Sequence, residues 1–440
     1  MQWSKYNLIY SSPEHGELLF NFLSGVFMEL NDTPSKTLIN ELKNGNMEAL
    51  ATEDKSVKDF LLSSAIINTD GDETNLNLLK LQSQMNRFDK RYRSITILPT
   101  VNCNLKCGYC FVGENIANKS MTPEVVAKLK EFIQENYADA ENVYLQWFGG
   151  EPLLEFGIMK DISQFMDAAG IKYDASIVTN GVLLNQEIVN AFEELHIKDI
   201  QITFDGIKET HDKKRIFKNG EGTFDIIFKN MGLIYEMYKD NIIVNVRINV
   251  DRQNMDEYHT LRSVVKKHYP SFFVYPGILM NYNSCNSAVN CFANNMEVAE
   301  FMIEQYEKYG IDDMRFYPAL KGTTICTAEG LNNNIVGVEG EIYLCLKDVG
   351  DKNEIAGSIF NGKTNIKIVT DYYVKYFAYD DSSCKKCHIL PLCGGGCTNL
   401  KYRNKKYNEA HDTCAQFKNI NILKKYLDIH YKIRKKYANA

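Results

Sequence analysis

Cys103, Cys107 and Cys110 lie in the run Cys-Asn-Leu-Lys-Cys-Gly-Tyr-Cys, a CxxxCxxC spacing. Three thiolates fall one short of a four-coordinate iron or zinc shell, so one position is left for something else. A structural zinc site would want a fourth protein ligand. An iron–sulfur cube held by three cysteines would keep one iron open, unlike the usual four-cysteine shell. Spacing alone admits both a zinc knuckle with a distant fourth ligand and an open cluster. A second constellation holds Cys326, Cys345, Cys384, Cys387, Cys393, Cys397 and Cys414, seven cysteines within 89 positions. Its CxxC and CxxxC pairs could bind zinc. The glycines between Cys393 and Cys397 would let backbone N–H groups approach sulfur and tune it. Cys285 and Cys291 stand outside both sets and read as loop or buried thiols, or as a further ligand.

About forty residues after the first motif comes Gln146-Trp-Phe-Gly149-Gly150-Glu151-Pro152. CxxxCxxC with an aromatic, Tyr109, before its third cysteine and a GGEP downstream resembles the radical S-adenosylmethionine (SAM) superfamily. That resemblance implies a [4Fe–4S] cluster on Cys103, Cys107 and Cys110, its open iron chelated by the SAM amino and carboxylate groups. It implies reductive cleavage to a 5′-deoxyadenosyl radical that takes hydrogen from a substrate, with the protein holding the partners and excluding water. Gly149, Gly150 and Glu151 match the segment that binds the SAM amino group. Thr203 stands where a serine usually helps bind the ribose or carboxylate. Asn180, in Thr-Asn-Gly, and Asp205, in Thr-Phe-Asp-Gly, continue the likeness, as does Arg215 in His211-Asp-x-x-Arg. The second constellation, Cx13Gx4C followed by Cx2Cx5Cx3C and a last cysteine, resembles the SPASM domain. By that analogy Cys384, Cys387, Cys393 and Cys414 hold one auxiliary cluster. Cys326, Cys345 and Cys397 hold another, with its fourth position open or filled by Cys285 or Cys291. Three [4Fe–4S] clusters and SAM are the cofactors implied.

These residues need elements to place them. Strand patterns at Ser94–Leu98, Asn142–Trp147, Ala175–Val178, Asp199–Phe204, Ile242–Val250 and Ser271–Ile278 alternate with helical ones. Such alternation predicts an α/β fold with a parallel sheet and outer helices. Six units match the partial (β/α)6, TIM-like barrel of radical SAM enzymes. The motifs follow strand ends, where such sheets carry their sites. Arg247 and Asn249 alternate with apolar neighbours on the fifth strand and so face the interior. Arg247 then contacts SAM or substrate, or belongs to a structural ion pair. Residues 1–93 read as a winged-helix-like unit with a helical connector. Residues 94–310 read as the barrel, and residues 311–440 as the cysteine-rich SPASM domain with a C-terminal helix. Domains like the first resemble the peptide-recognition element of peptide maturases, where a leader peptide adds as a strand to a sheet edge.

The chain has 440 residues, enough for two or three domains. A net charge of −6 argues against nucleic acid as the main partner. No apolar run is long enough to span a bilayer. The first residues show no signal-peptide pattern, so the expected location is the cytoplasm, where twelve cysteines point to metal rather than disulfides. The favoured reaction is modification of a ribosomally made precursor peptide, closing a thioether or carbon–carbon crosslink as in the thioether-forming sactipeptide and ranthipeptide synthases. A small reducing protein such as flavodoxin or ferredoxin would supply electrons. A sulfatase maturase is less well matched: those enzymes typically place aspartate directly after the cysteine matching Cys345, and here Leu346 stands there. A peptide epimerase would need a hydrogen-donating cysteine, for which Cys285 and Cys291 are the candidates.

Overall fold

The computed structural model describes residues 1–110, 119–280, 290–312 and 326–438. It divides into two compact units. The first is Met1–Arg87, Asn295–Ile325 and Tyr376–Ala440; the second is Phe88–Asn294 and Cys326–Lys375. This partition cuts across the three segments read from the sequence. No described helix is long and apolar enough to cross a membrane.

The first unit opens with β1 (Gln2–Trp3), β2 (Asn7–Ser12), β3 (Gly16–Asn21), β4 (Phe27–Glu29) and β5 (Ile67–Asn68). Strands β2, β3 and β4 form an antiparallel sheet, and β1 pairs with β5. Helix α1 (Thr33–Lys43) starts where Asp32 accepts from the Ser35 N–H and Pro34 occupies the first turn. Leu38, Ile39 and Leu42 of α1 and Leu61 of α2 (Lys55–Ser63) pack on Leu19, which faces them from β3. The long helix α3 (Asp72–Phe88) follows. The C-terminal helix, Ile420–Ala438, also meets this sheet. Ser12 Oγ donates to Asp428, Tyr431 to Glu29, Lys432 to Glu14 at 2.8 Å, and Arg434 to the Gly25 carbonyl at 2.7 Å.

The second unit is built on β6 (Tyr92–Ile97), β7 (Asn142–Trp147), β8 (Tyr173–Thr179), β9 (Ile197–Phe204), β10 (Ile243–Val250) and β11 (Phe273–Ile278). Each pairs in parallel with the next. Helices Pro123–Tyr137, Phe156–Ala168, Phe224–Tyr238 and Tyr258–His268 fall in the crossovers between them. Alternation sets the two faces: Val143, Leu145 and Trp147 are buried, while Tyr144 is exposed and Gln146 half-buried. A strand absent from the sequence reading, β12 (Asn333–Val336), pairs in parallel with the far side of β6. It continues antiparallel into β13 (Glu341–Tyr343) and β14 (Gly357–Ser358), completing a nine-stranded sheet. The helix after β8 is a short one, Gln186–Asn190.

Candidate active site

The Cys103–Cys110 loop leaves the carboxyl end of β6 and is held there by glycine packing. The Gly150 and Glu151 N–H groups donate to Thr100 O at 3.1 Å and Asn102 O at 2.8 Å. A Cβ on Gly149 would lie 2.3 Å from Thr100 O, and one on Gly150 would lie 2.1 Å from Asn102 O. Gly149 also takes φ +140°, which L side chains rarely adopt. These two glycines therefore press two backbones together, and the segment braces the cysteine loop.

Glu151 is fully buried. Its Oε1 accepts from Thr179 Oγ1 at 2.8 Å and the Leu153 N–H at 3.1 Å, and its Oε2 accepts from the Asn180 N–H at 2.8 Å. Burial pushes its carboxyl up to about 7, against the pull of these donors. The amide of Asn180 bonds Asn104 Oδ1 at 2.7 Å and reaches Cys103 Sγ at 3.7 Å. Cys103 Sγ also accepts from the Leu105 N–H at 3.4 Å. The Thr-Asn-Gly turn after β8 thus sets the first cysteine from the other side.

Tyr109 anchors a second network. Its hydroxyl donates to Asp205 Oδ1 at 2.8 Å and accepts from Arg215 Nη1 at 2.9 Å and Asn249 Nδ2 at 3.1 Å. Asp205 is fully buried, and burial raises its carboxyl while Arg215 and Tyr109 pull it down. Its backbone N–H donates to His211 Nδ1 at 3.3 Å, which makes Nε2 the protonated nitrogen facing Thr223 Oγ1 at 3.0 Å. Burial holds His211 down at about 3, a neutral imidazole. Arg247 Nε donates to Asn249 Oδ1 at 2.8 Å, and Thr203 stands opposite Arg247 in the β9–β10 register. Asn254 fastens the loop beneath, donating to Asp205 O and Asn249 O. Thr223 and Asn254 carried no motif; only the polar turn after β10 hinted at Asn254.

One network thus joins Cys103, Glu151 and Asn180, and another joins Tyr109, Asp205, Arg215 and Asn249, with Arg247 tied to the second through Asn249 and Thr203 beside Arg247 in the strand register. Among the described residues, no three His, Cys, Asp or Glu side chains converge on a single metal-ion position. A cube's cysteines each bind a different iron and need no such convergence. The surroundings suit a sulfur-held group with a polar ligand. N–H donors face the Cys103 sulfur; burial raises the Cys103 and Cys107 thiols, opposed at Cys103 chiefly by the Leu105 N–H and at Cys107 by the Arg215 charge. Asp205 Oδ2, Arg215 Nε, Asn102 Oδ1 and Asn104 Nδ2 are buried without a partner among the described residues.

The second cysteine set is divided between the units. Cys345 follows β13 and Cys326 precedes a short turn, both in the second unit. Cys384, Cys387, Cys393, Cys397 and Cys414 fall in the first. There Asp381 caps the turn carrying Cys384, and the Cys387 N–H donates to Cys384 O at 2.9 Å. Gly394, Gly395 and Gly396 all take positive φ. A Cβ on Gly396 would lie 1.8 Å from Thr413 O, so glycine brings the Cys397 turn against the chain leading into Cys414. Lys418 Nζ donates to Cys414 Sγ at 3.0 Å, and Lys401 Nζ lies 3.7 Å from Cys384 Sγ. Cys291 is buried, and Cys285 lies outside the described residues.

Residues 97–264 match the Radical SAM superfamily. The chain is 24% identical over 352 residues to the cysteine-type anaerobic sulfatase-maturating enzyme of Clostridium novyi (strain NT), covering 72% of this chain and 91% of that one. It is 22% identical over 455 residues to the radical SAM cyclopropyl synthase TigE of Paramaledivibacter caminithermalis, covering 92% and 91%. Among solved structures it resembles anSMEcpe with bound AdoMet, at TM-score 0.58 and 19% identity over 79% of this chain and 95% of that one.

Proposed function

We propose that this chain, which carries a radical SAM domain over residues 97–264, is a maturase that crosslinks a ribosomally made precursor peptide through a thioether or carbon–carbon bond. The observation that carries this reading is the meeting of the three thiols with Glu151, Asn180, Asp205 and Arg215 at the carboxyl ends of β6 to β10. The radical SAM domain implies SAM and one [4Fe–4S] cluster, which when bound supply a 5′-deoxyadenosyl radical able to remove a hydrogen atom from substrate.

The chain's own residues do the rest. Cys103, Cys107 and Cys110 are the cluster ligands. The Thr179–Asn180 turn and Glu151 fix Cys103, while Tyr109 and Asn249 hold Arg215 and Asp205 in place. Arg215 and Arg247 are suited to a carboxylate, and Asp205 Oδ2 to an ammonium or hydroxyl. Packing of Gly149 and Gly150 against the backbone of Thr100 and Asn102 fixes the strand end from which the cysteine loop starts. Cys384, Cys387, Cys393 and Cys414 hold one auxiliary [4Fe–4S] cluster, and Cys326, Cys345 and Cys397 another.

Residues 1–93, 94–310 and 311–440 serve as recognition, radical and SPASM segments. The leader peptide pairs with the outer edge of β4, the last strand of its antiparallel sheet. A peptide substrate is supported by anSMEcpe, solved with AdoMet and the Cp18Cys peptide, and bond-forming radical chemistry by TigE, a radical SAM cyclopropyl synthase matched over most of the chain. A sulfatase-maturase reading is favoured by the Clostridium novyi relative. Against it, Leu346 follows Cys345, and Asp348 is buried with Oδ2 accepting from Tyr372 at 2.7 Å.

Anaerobically reconstituted protein, SAM, a reductant and the short peptide encoded beside its gene, read by mass spectrometry, test the proposal. Loss of two hydrogens from the peptide is expected. Conversion of a cysteine to formylglycine in a sulfatase peptide, with the neighbouring peptide unchanged, would replace it. Unchanged mass in ordinary water, with one deuterium gained in heavy water, would mean epimerisation.

A further inference from the structure

The chain is acidic overall, yet the stretch from Cys384 to Asn408 holds five lysines, one arginine and no Asp or Glu. Lys385 and Lys386 lie between two cysteines and are exposed, as are Lys405 and Lys418. The half-buried Lys401 reaches the Cys384 sulfur and Lys418 the Cys414 sulfur, at the distances given above. Lys5 adds a further cation, donating to the Lys385 carbonyl at 3.2 Å.

The neighbouring carboxylates are fewer than the cations: two pair with cations, and two bond backbone N–H groups and keep their charge. Asp380 pairs with Lys80 at 2.5 Å, and Asp381 caps the Ser383 and Cys384 N–H groups. Glu409 holds Arg403 and His411, and Asp412 accepts from the Cys414 N–H. Lys385, Lys386 and Lys405 make no ion pair among the described residues. A patch of one sign beside redox-active sulfur steers a partner of the opposite sign and raises its encounter rate.

We propose that the lysine collar around Cys384 and Cys414 is the docking surface for an acidic one-electron carrier protein of the flavodoxin class. Each encounter passes one electron: the carrier's flavin is oxidised by one as the chain is reduced by one, with no bond made or broken. Lys385, Lys386 and Lys405 provide long-range attraction. Lys401 and Lys418 put positive charge on the sulfurs, which favours the reduced, more negative state.

The inference rests on the reading of these cysteines as an auxiliary cluster, and its test separates the two. Holoenzyme and a Lys385→Glu/Lys386→Glu variant are compared with a purified bacterial flavodoxin, between about 25 and about 300 mM NaCl, where surface charge is progressively screened. Labelled flavodoxin should bind the variant about tenfold more weakly at low salt, with a flatter salt dependence. Flavodoxin-driven 5′-deoxyadenosine formation should show the same rise in apparent KM, while the dithionite-driven rate stays unchanged. A Lys172→Glu/Lys198→Glu control, of equal charge change on exposed lysines of the second unit, should behave as wild type. Equal binding by both variants, or salt-insensitive binding of wild type, would overturn the docking surface. Failure of dithionite to drive SAM cleavage would overturn the radical reading instead, and the binding curves would still judge the surface.

Discussion

The two cysteine sites share one device and differ in all that surrounds it. Both use glycine to press one backbone onto another: Gly150 against Asn102 in the second unit, Gly396 against Thr413 in the first. Around Cys103–Cys110 the polar groups turn inward. Glu151 and Asp205 are fully buried and balanced by N–H donors, a tyrosine and Arg215. Around Cys384–Cys414 lysines outnumber carboxylates and several turn outward, while the half-buried Lys401 and the exposed Lys418 reach sulfur. Buried polar groups tied to one another fix a geometry and leave their few spare atoms for a ligand, whereas an unbalanced exposed patch fixes an encounter. On the proposed reading, the first arrangement orients reacting groups and the second exchanges electrons with a partner.

The hardest blow to this contrast is removal of the first site's sulfurs. Replacing Cys103, Cys107 and Cys110 by alanine should reduce 5′-deoxyadenosine formation to background while iron bound in the first unit persists, as read by chromatography and iron analysis. Retained SAM cleavage would erase the distinction between the sites. A smaller effect is expected from Gly150→Ala. Its Cβ would meet carbonyl oxygens of Val101 and Asn102 at 2.5 and 2.1 Å, so the cysteine loop must shift. Such overpacking costs about 1–3 kcal/mol. A lower melting temperature and less iron at the first site should follow, with the lysine-lined site unaffected.

The finest test concerns Glu151. Its carboxyl is pushed from an ordinary 4.5 up to about 7, so the folded state binds more protons than the unfolded chain between those values. Unfolding free energy should therefore fall as pH rises from 4.5 to about 7, and Glu151→Gln should remove that slope. Urea unfolding of both proteins across the window checks it. A wild-type curve no steeper than that of the glutamine variant would mean the three donors outweigh burial.

The sequence made the cysteine spacings, the six strands β6 to β11 and the inward placement of Arg247 and Asn249 legible, because strand period and strand-end motifs are local. It showed the glycines of Gly149-Gly150-Glu151 but not their job of bracing the cysteine loop. That job depends on where Thr100 and Asn102 lie. His211, Thr223 and Asn254 brace the site through bonds between loops distant in sequence, which no spacing records. Strand β12 escaped notice because Asn-Asn-Ile-Val is short and lacks alternation. Its pairing is decided by β6, far away in the chain.

That pairing has a consequence for synthesis. Ser94 on β6 bonds Asn333 on β12 across 239 residues. Chain elongation at about 5–20 residues per second therefore leaves one edge of β6 unpaired for about 12–48 seconds. An open strand edge is a template for wrong partners, so the newborn chain must be shielded along β6 until β12, about three-quarters of the way along the chain, has emerged.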